Sequence, residues 1–263
     1  MLRPDLVQAL RRRRPLLHCV SNQVSANDCA NLALAVGASP MMAAAAEEME
    51  EITALSDATV LNTGTPEGAR FAACRICAAA SARLGRPLVL DPVGVGASTW
   101  RLAEVGRLLE AGRPTILRVN LGEARALAHL AGREQGVDSV DRAGPAERLA
   151  AARTLARALG TTVLLTGEED LVTDGHRAWR VRGGSSQMTR VTGTGCMLSV
   201  LCGAFAAVTE DGLAAAVTAA AFWKRCAALA ETRSGTLGPG SFRVALLDAA
   251  GTLTDLTGDV EEL

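Results

Sequence analysis

Four stretches constrain this chain more than any other feature: "VLNTG" (60–64), "LVLDP" (88–92), "ILRVN" (116–120) and "VLLTG" (163–167). Each is an apolar, often β-branched run that closes on a polar residue or a glycine turn. Helical patterns over 66–85, 100–112, 121–131 and 145–160 lie between and beside them. Uninterrupted apolar strands separated by helices argue for a parallel sheet covered on both faces. The expected architecture is three-layered α/β/α with a mostly parallel central sheet. Ligands of such sheets bind beyond the carboxyl ends of the strands. The polar residues there are Asn62, Asp91, Asn120 and Thr166.

The flanking sequence extends the pattern. "PLLHCV" (15–20) reads as a strand and 27–37 as a helix, with Asn27 as N-cap and Gly37 as its stop. "SPMMA" (39–43) is a short extended piece before a helix over 47–56. "DLVTDGHRAWRV" (170–181) carries Asp174-Gly175 between two β-like runs, which predicts antiparallel strands at one edge of the sheet. From Gly195 onward the pattern is mostly helical. No Pro/Ser-rich linker or repeat divides the chain, so residues 1–263 are expected to form a single domain.

Composition narrows the function classes. A net charge of −1 argues against a sequence-independent hold on nucleic acid. The run Arg11 to Arg14 lacks aromatic interleaving and reads as a solvated helix end stopped by Pro15. Apolar stretches 197–208 and 213–223 are broken by Gly203 and by Glu210-Asp211-Gly212, so buried helices are expected there and no membrane span. No N-terminal segment reads as a signal peptide. Seven scattered cysteines, an odd number, suggest reduced thiols and a cytoplasmic location. Cys74 and Cys77 are formally C-x-x-C, but they sit in a helical pattern with no second pair or histidine, so a packed helix face is expected.

The chemistry centres on "VTGTGC" (191–196), just ahead of the apolar run "MLSVLCGAFAAV". A helix start exposes unpaired N–H groups and carries about half a positive charge. Glycines let that backbone approach a ligand closely, so Gly193, Thr194 and Gly195 form a candidate anion hole. The pattern is not a P-loop: no Gly-Lys-Ser/Thr follows, and the one lysine, Lys224, lies far along the chain.

On these residues the chain resembles the hydroxyethylthiazole kinase family of the ribokinase-like superfamily. Many superfamily members carry aspartate where Cys196 stands. The resemblance runs through "HCVSNQVSANDCANLALAVGASPMMA" (18–43), "VLNTGT" (60–65), "LDPVGVGAS" (90–98), "RVNLGEA" (118–124), "QGVDS" (135–139), "LLTGEED" (164–170), "RVTGTGC" (190–196) and "GPGSF" (238–242). It implies a kinase that phosphorylates the hydroxyl of 4-methyl-5-(2-hydroxyethyl)thiazole from ATP, salvaging thiazole for thiamine synthesis. It implies a homotrimer with active sites between subunits. It further implies that Met42, Gly193 and Asn22 meet the substrate, that Arg118 and Thr166 bind ATP, and that Asp91 and Glu123 stand near magnesium. Cys196 would occupy the general-base position. Val119, where relatives often have glycine, and Gln23, where they often have asparagine or tyrosine, depart from the pattern.

Two other readings are open on the residues. One is a related kinase acting on hydroxymethylpyrimidine, against which stand Cys196 and "GASPMM". The other is a non-catalytic nucleotide-binding protein, which would be expected to lose Asp91, Arg118, Glu123 or the glycine turn. All are present.

Overall fold

The computed structural model describes residues 1–130 and 144–263, and "QGVDS" (135–139) lies outside them. The strands are β1 (Leu16–Val20), β2 (Ser39–Met41), β3 (Ala58–Asn62), β4 (Leu88–Asp91), β5 (Ile116–Val119), β6 (Thr162–Leu165), β7 (Asp170–Thr173), β8 (Ala178–Arg182) and β9 (Asp259–Glu262). They form one sheet in the order β2-β1-β3-β4-β5-β6-β7-β8-β9. Pairing is parallel from β2 to β6 and antiparallel from β6 to β9.

The helices are α1 (Asp5–Arg13), α2 (Ala26–Val36), α3 (Met49–Leu55), α4 (Gly68–Leu84), α5 (Thr99–Ala111), α6 (Leu121–Leu130), α7 (Pro145–Leu159), α8 (Thr194–Ala206), α9 (Gly212–Ser234) and α10 (Pro239–Thr252). Strand residues alternate between two cores. Leu17, Val60, Val89, Ile116 and Leu164 face one layer, built from α1, α2, α8, α9 and α10. Val20, Leu61, Leu90, Val119 and Leu165 face the other, built from α3 to α7. Both faces are dry, which is why these strands lack polar alternation. The three-layer expectation holds.

β1 lies between β2 and β3, so the chain winds outward in both directions from it. Such a reversal of strand order opens a crevice beyond the carboxyl ends of the strands. α8 packs along β1, β3 and β4 with its N-terminus at that crevice.

Local details differ from expectation where a side chain finds a partner that its neighbours do not reveal. Ser25, not Asn27, is the N-cap residue of α2, and Asn27 instead accepts a 3.0 Å hydrogen bond from Asn31 one turn on. Arg11 is not simply solvated: its guanidinium donates to the carbonyls of Gly251 and Leu253 at 3.1 and 2.8 Å, completing the end of α10. The Asp174-Gly175 hairpin forms, but β9 pairs outside it and takes the edge. Cys74 and Cys77 are both buried on α4, and the Cys77 thiol lies 3.4 Å from the Met49 sulfur. Among the described residues, α9 alone is long and apolar enough to cross a membrane, and it is buried between α8, α10 and the sheet.

Candidate active site

Every polar strand end named from the sequence arrives at one crevice, and hydrogen bonds join most of them in a chain. At one end the Asn22 side-chain amide donates to the Cys196 sulfur at 3.3 Å and to Asn62 Oδ1 at 2.9 Å. Asn62 in turn donates to Asp91 Oδ2 at 3.0 Å. Arg118 lies on the far side of Asp91, with Nη1 3.3 Å from Oδ1. Its Nη2 donates to Thr166 Oγ1 at 3.0 Å. The run Cys196–Asn22–Asn62–Asp91–Arg118–Thr166 thus crosses the ends of five parallel strands.

Asn22 is fixed from several sides. Its Oδ1 accepts the backbone N–H groups of Val24 and Ser25, both at 3.0 Å, and so orders the turn into α2. Gly64 presses on it, because a Cβ there would stand 3.0 Å from the Asn22 side chain. Thr65 holds the left-handed region at φ 45 and accepts the Gln23 amide at 3.1 Å. A non-glycine residue in that region stores strain, which recurs at functional sites.

The glycine turn is shaped for close approach. Gly193 is the N-cap of α8 at φ 83, and a Cβ there would meet Ser25 at 2.9 Å. A Cβ on Gly195 would fall 2.5 Å from Arg118 Nη2, so only a bare backbone can approach the guanidinium this closely. The first rung of the helix is Met197 N–H to Gly193 O at 2.9 Å. The amides of Thr194, Gly195 and Cys196 therefore precede the ladder and stand at the positive end of the helix. Trp223 of α9 donates to the Thr194 carbonyl at 3.0 Å and braces the turn from below.

Asp91 is fully buried, and its Oδ2 also accepts a 2.7 Å hydrogen bond from Ser199. Ser199 lies one turn inside α8, the one hydroxyl in an otherwise apolar stretch. That i, i+4 spacing from Gly195 was its only sequence signal. Burial works against the charge on Arg118, but Asp91 and Glu123 outweigh it and raise the pKa, so Arg118 stays cationic. Burial raises Glu123 above the ordinary carboxylate range, despite backbone N–H donors from Asn120 and Gly94 at 2.9 and 3.0 Å. Among the described residues no cluster of three or more His, Cys, Asp or Glu side chains could by itself hold a metal.

Met42 follows β2 and packs half-buried against the core that Cys196 also borders. A cavity of about 470 Å³ lies between the end of β8, α9 and the chain before β9, lined by Arg182, Gly184, Lys224, Arg225, Thr257 and Asp259 among others. Lys224 in its lining donates to the Glu168 carbonyl at 2.9 Å, and its Nζ lies 3.6 Å from the buried Asp170 carboxylate. No sequence signal pointed to that cavity.

Comparison with known proteins places the chain in a family. Residues 7–256 match the hydroxyethylthiazole kinase family. A hydroxyethylthiazole kinase from Nitratidesulfovibrio vulgaris strain DP4 is 45% identical over 95% of this chain and 92% of its own. One from Listeria monocytogenes serotype 4a is 42% identical over 92% and 90%. The solved structure of a hydroxyethylthiazole kinase from Pyrococcus horikoshii OT3 superposes with a TM-score of 0.90 at 36% identity, over 98% of both chains. Pyridoxal kinase from Staphylococcus aureus, at 16% identity and a TM-score of 0.67 over 94% and 98%, shares the fold.

Proposed function

Because the chain belongs to the hydroxyethylthiazole kinase family, we propose that it moves the γ-phosphoryl group of ATP to the hydroxyl of 4-methyl-5-(2-hydroxyethyl)thiazole, as a salvage step for thiamine synthesis. The observation that carries this reading is the contact of Gly195 with Arg118. It puts the open amides of a helix mouth and a half-buried guanidinium at one point, beside a thiol. Phosphoryl transfer depends largely on such positioning and charge stabilisation.

The thiazole sits against Met42, Gly193 and Asn22, with its hydroxyl towards Cys196. The triphosphate runs from the amides of Thr194, Gly195 and Cys196 past Arg118 to Thr166. The base of the nucleotide enters the cavity beside Gly183, Gly184 and Lys224, a lysine that also donates to the Glu168 carbonyl two residues beyond Thr166. Arg118 presents a charged planar fork to the phosphates, oriented by Asp91 and Thr166. In the chemical step the substrate oxygen bonds to the γ-phosphorus as the bond from that phosphorus to the bridging oxygen breaks, releasing ADP. The hydroxyl proton is taken up at the Cys196 sulfur, which accepts the Asn22 amide. Cys196 contributes less than the glycine turn does.

The residues fit a magnesium ion brought in on the nucleotide. Each Glu123 oxygen accepts one backbone amide and keeps lone-pair capacity, and burial leaves this carboxylate short of positive charge. Asp91 Oδ2 is filled by Asn62 and Ser199, so Asp91 acts towards the ion through Oδ1 and its charge. When bound, magnesium neutralises charge on the triphosphate.

We place the enzyme in the cytoplasm, supported by seven free cysteines. We treat residues 1–263 as one catalytic unit working as a homotrimer with its sites between subunits. Val24 and Met41, exposed at 63% and 39% on either side of the substrate end, support this by offering apolar cover for a neighbour. Incubation with ATP, magnesium and the thiazole alcohol is expected to give the alcohol phosphate by mass spectrometry. No product from the well-folded protein would refute the reading.

A further inference from the structure

His18 is a fully buried histidine that the chemistry above leaves unused. It stands on β1 opposite Met41, where pairing with β2 ends. The chain then runs on as Met42, the residue assigned above to the thiazole, followed by Ala43 and Ala44. Among the described residues, no backbone hydrogen bond of a turn or loop involves those three. Something else must fix where Met42 sits.

The His18 ring is anchored on one side only. Nδ1 lies 3.1 Å from Thr53 Oγ1 of α3, also fully buried. Nε2 is buried and, among the described residues, has no hydrogen-bond partner. The Ala43 carbonyl stands within the ring's reach. An acceptor nitrogen facing a carbonyl would be repelled, so the proton belongs on Nε2 while Nδ1 accepts from the threonine hydroxyl. A buried donor left unpaired costs free energy that a small movement of one carbonyl would recover. Burial lowers the His18 pKa, which keeps the ring neutral with one N–H. The Cys77 thiol lies 4.0 Å from Nδ1 and is pushed up to about 11 by burial, so it is neutral too.

We propose that His18 is a positioning residue for the alcohol substrate: its Nε2–H is held ready for the Ala43 carbonyl, and the hydrogen bond closes when Met42 seats against the thiazole ring. The proposal rests on the reading that Met42 contacts the thiazole. His18 touches no substrate atom. It converts substrate contact at Met42 into one buried hydrogen bond at the neighbouring residue.

Long-range proton–nitrogen magnetic resonance tests this directly, since the chain has three histidines and the signals lost in His18→Gln identify the ring. The Nε2–H tautomer is expected in the free enzyme. The Nε2 proton should move downfield on saturation with the thiazole alcohol, and not with a non-hydrolysable ATP analogue alone. An Nδ1–H tautomer, or an unmoved signal in enzyme that binds the alcohol, overturns the proposal while leaving the kinase reading intact. Failure of the wild-type protein to bind the alcohol overturns both. Kinetics give a second readout. His18→Met, of similar size, should raise the KM for the alcohol about tenfold, the worth of one hydrogen bond. The KM for ATP and kcat should stay unchanged. His18→Gln, whose amide reaches the Nε2 position, should recover most of the loss. An unchanged alcohol KM in His18→Met, or equal rises in both KM values in both variants, makes His18 core packing only and sinks the proposal.

Discussion

Cys196 and the two glycines before it divide the labour at the helix mouth. A general base contributes about 10²–10⁴-fold, so Cys196→Ala should lower kcat by no more than that. Replacing both Gly193 and Gly195 with valine should abolish measurable turnover, because the new Cβ atoms would strike Ser25 and the Arg118 guanidinium at 2.9 and 2.5 Å. The reverse order in steady-state kinetics would make the thiol the dominant group. Cys196→Asp should stay active, since a carboxylate at that position can also take the proton; a folded but dead variant would contradict a base at 196. Glu123 gives a pH signature. Its folded pKa is raised by burial above the usual 4.5, so between those values the folded protein binds more protons than the unfolded chain. Stability from this group is therefore greatest in acid and falls as pH rises through the folded value. Glu123→Gln should have a higher Tm than wild type at neutral pH, no such gain below about pH 4.5, and lower activity throughout. A lower Tm at neutral pH would show that its two backbone hydrogen bonds outweigh the desolvation.

Among elements, α8 and α9 decide whether the site holds together. Ser199 ties the first turn of α8 to Asp91, and Trp223 ties α9 to the carbonyl of Thr194. Ser199→Ala should cost about 1.5–3 kcal/mol in urea unfolding, as expected for a buried hydrogen bond to a charged group. It should also raise the KM for ATP through Arg118. A silent variant would mean that Asn62 alone holds Asp91. The elements also show what a sequence can reveal. The parallel strands were legible because "VLNTG", "LVLDP", "ILRVN" and "VLLTG" are apolar without alternation, as sheets covered on both faces require. β9 was not, because "DVEE" is a short exposed edge strand with polar residues and no apolar face to display. Asn27 looked like a cap by type alone, yet Asn22 orders that turn from three residues before Ser25. The glycine turn, Asp91, Arg118 and Thr166 could be named from motif and strand position. Ser199 and the cavity beside Lys224 depend on long-range packing that no local pattern encodes.

At the scale of the whole molecule, the winding outward from β1 makes the crevice, and the three antiparallel strands β7 to β9 extend the sheet beyond β6. Val24, in the turn after β1, and Met41, at the end of β2, carry exposed apolar side chains. Sedimentation is expected to show three chains of 27.2 kDa per particle. Val24→Asp combined with Met41→Asp should yield monomers with a weakened hold on the alcohol. Full alcohol affinity in such monomers would mean that one chain completes its own site. The central claim is that the amides of residues 194–196 hold the migrating phosphoryl group with the Cys196 sulfur beside the acceptor oxygen. A crystal structure with a non-hydrolysable ATP analogue and the thiazole alcohol tests it most directly. The γ-phosphate is expected on those amides and Arg118, the alcohol oxygen within hydrogen-bond reach of Cys196, and the base beside Gly184 and Lys224. Ligands bound away from the mouth of α8 would contradict the account.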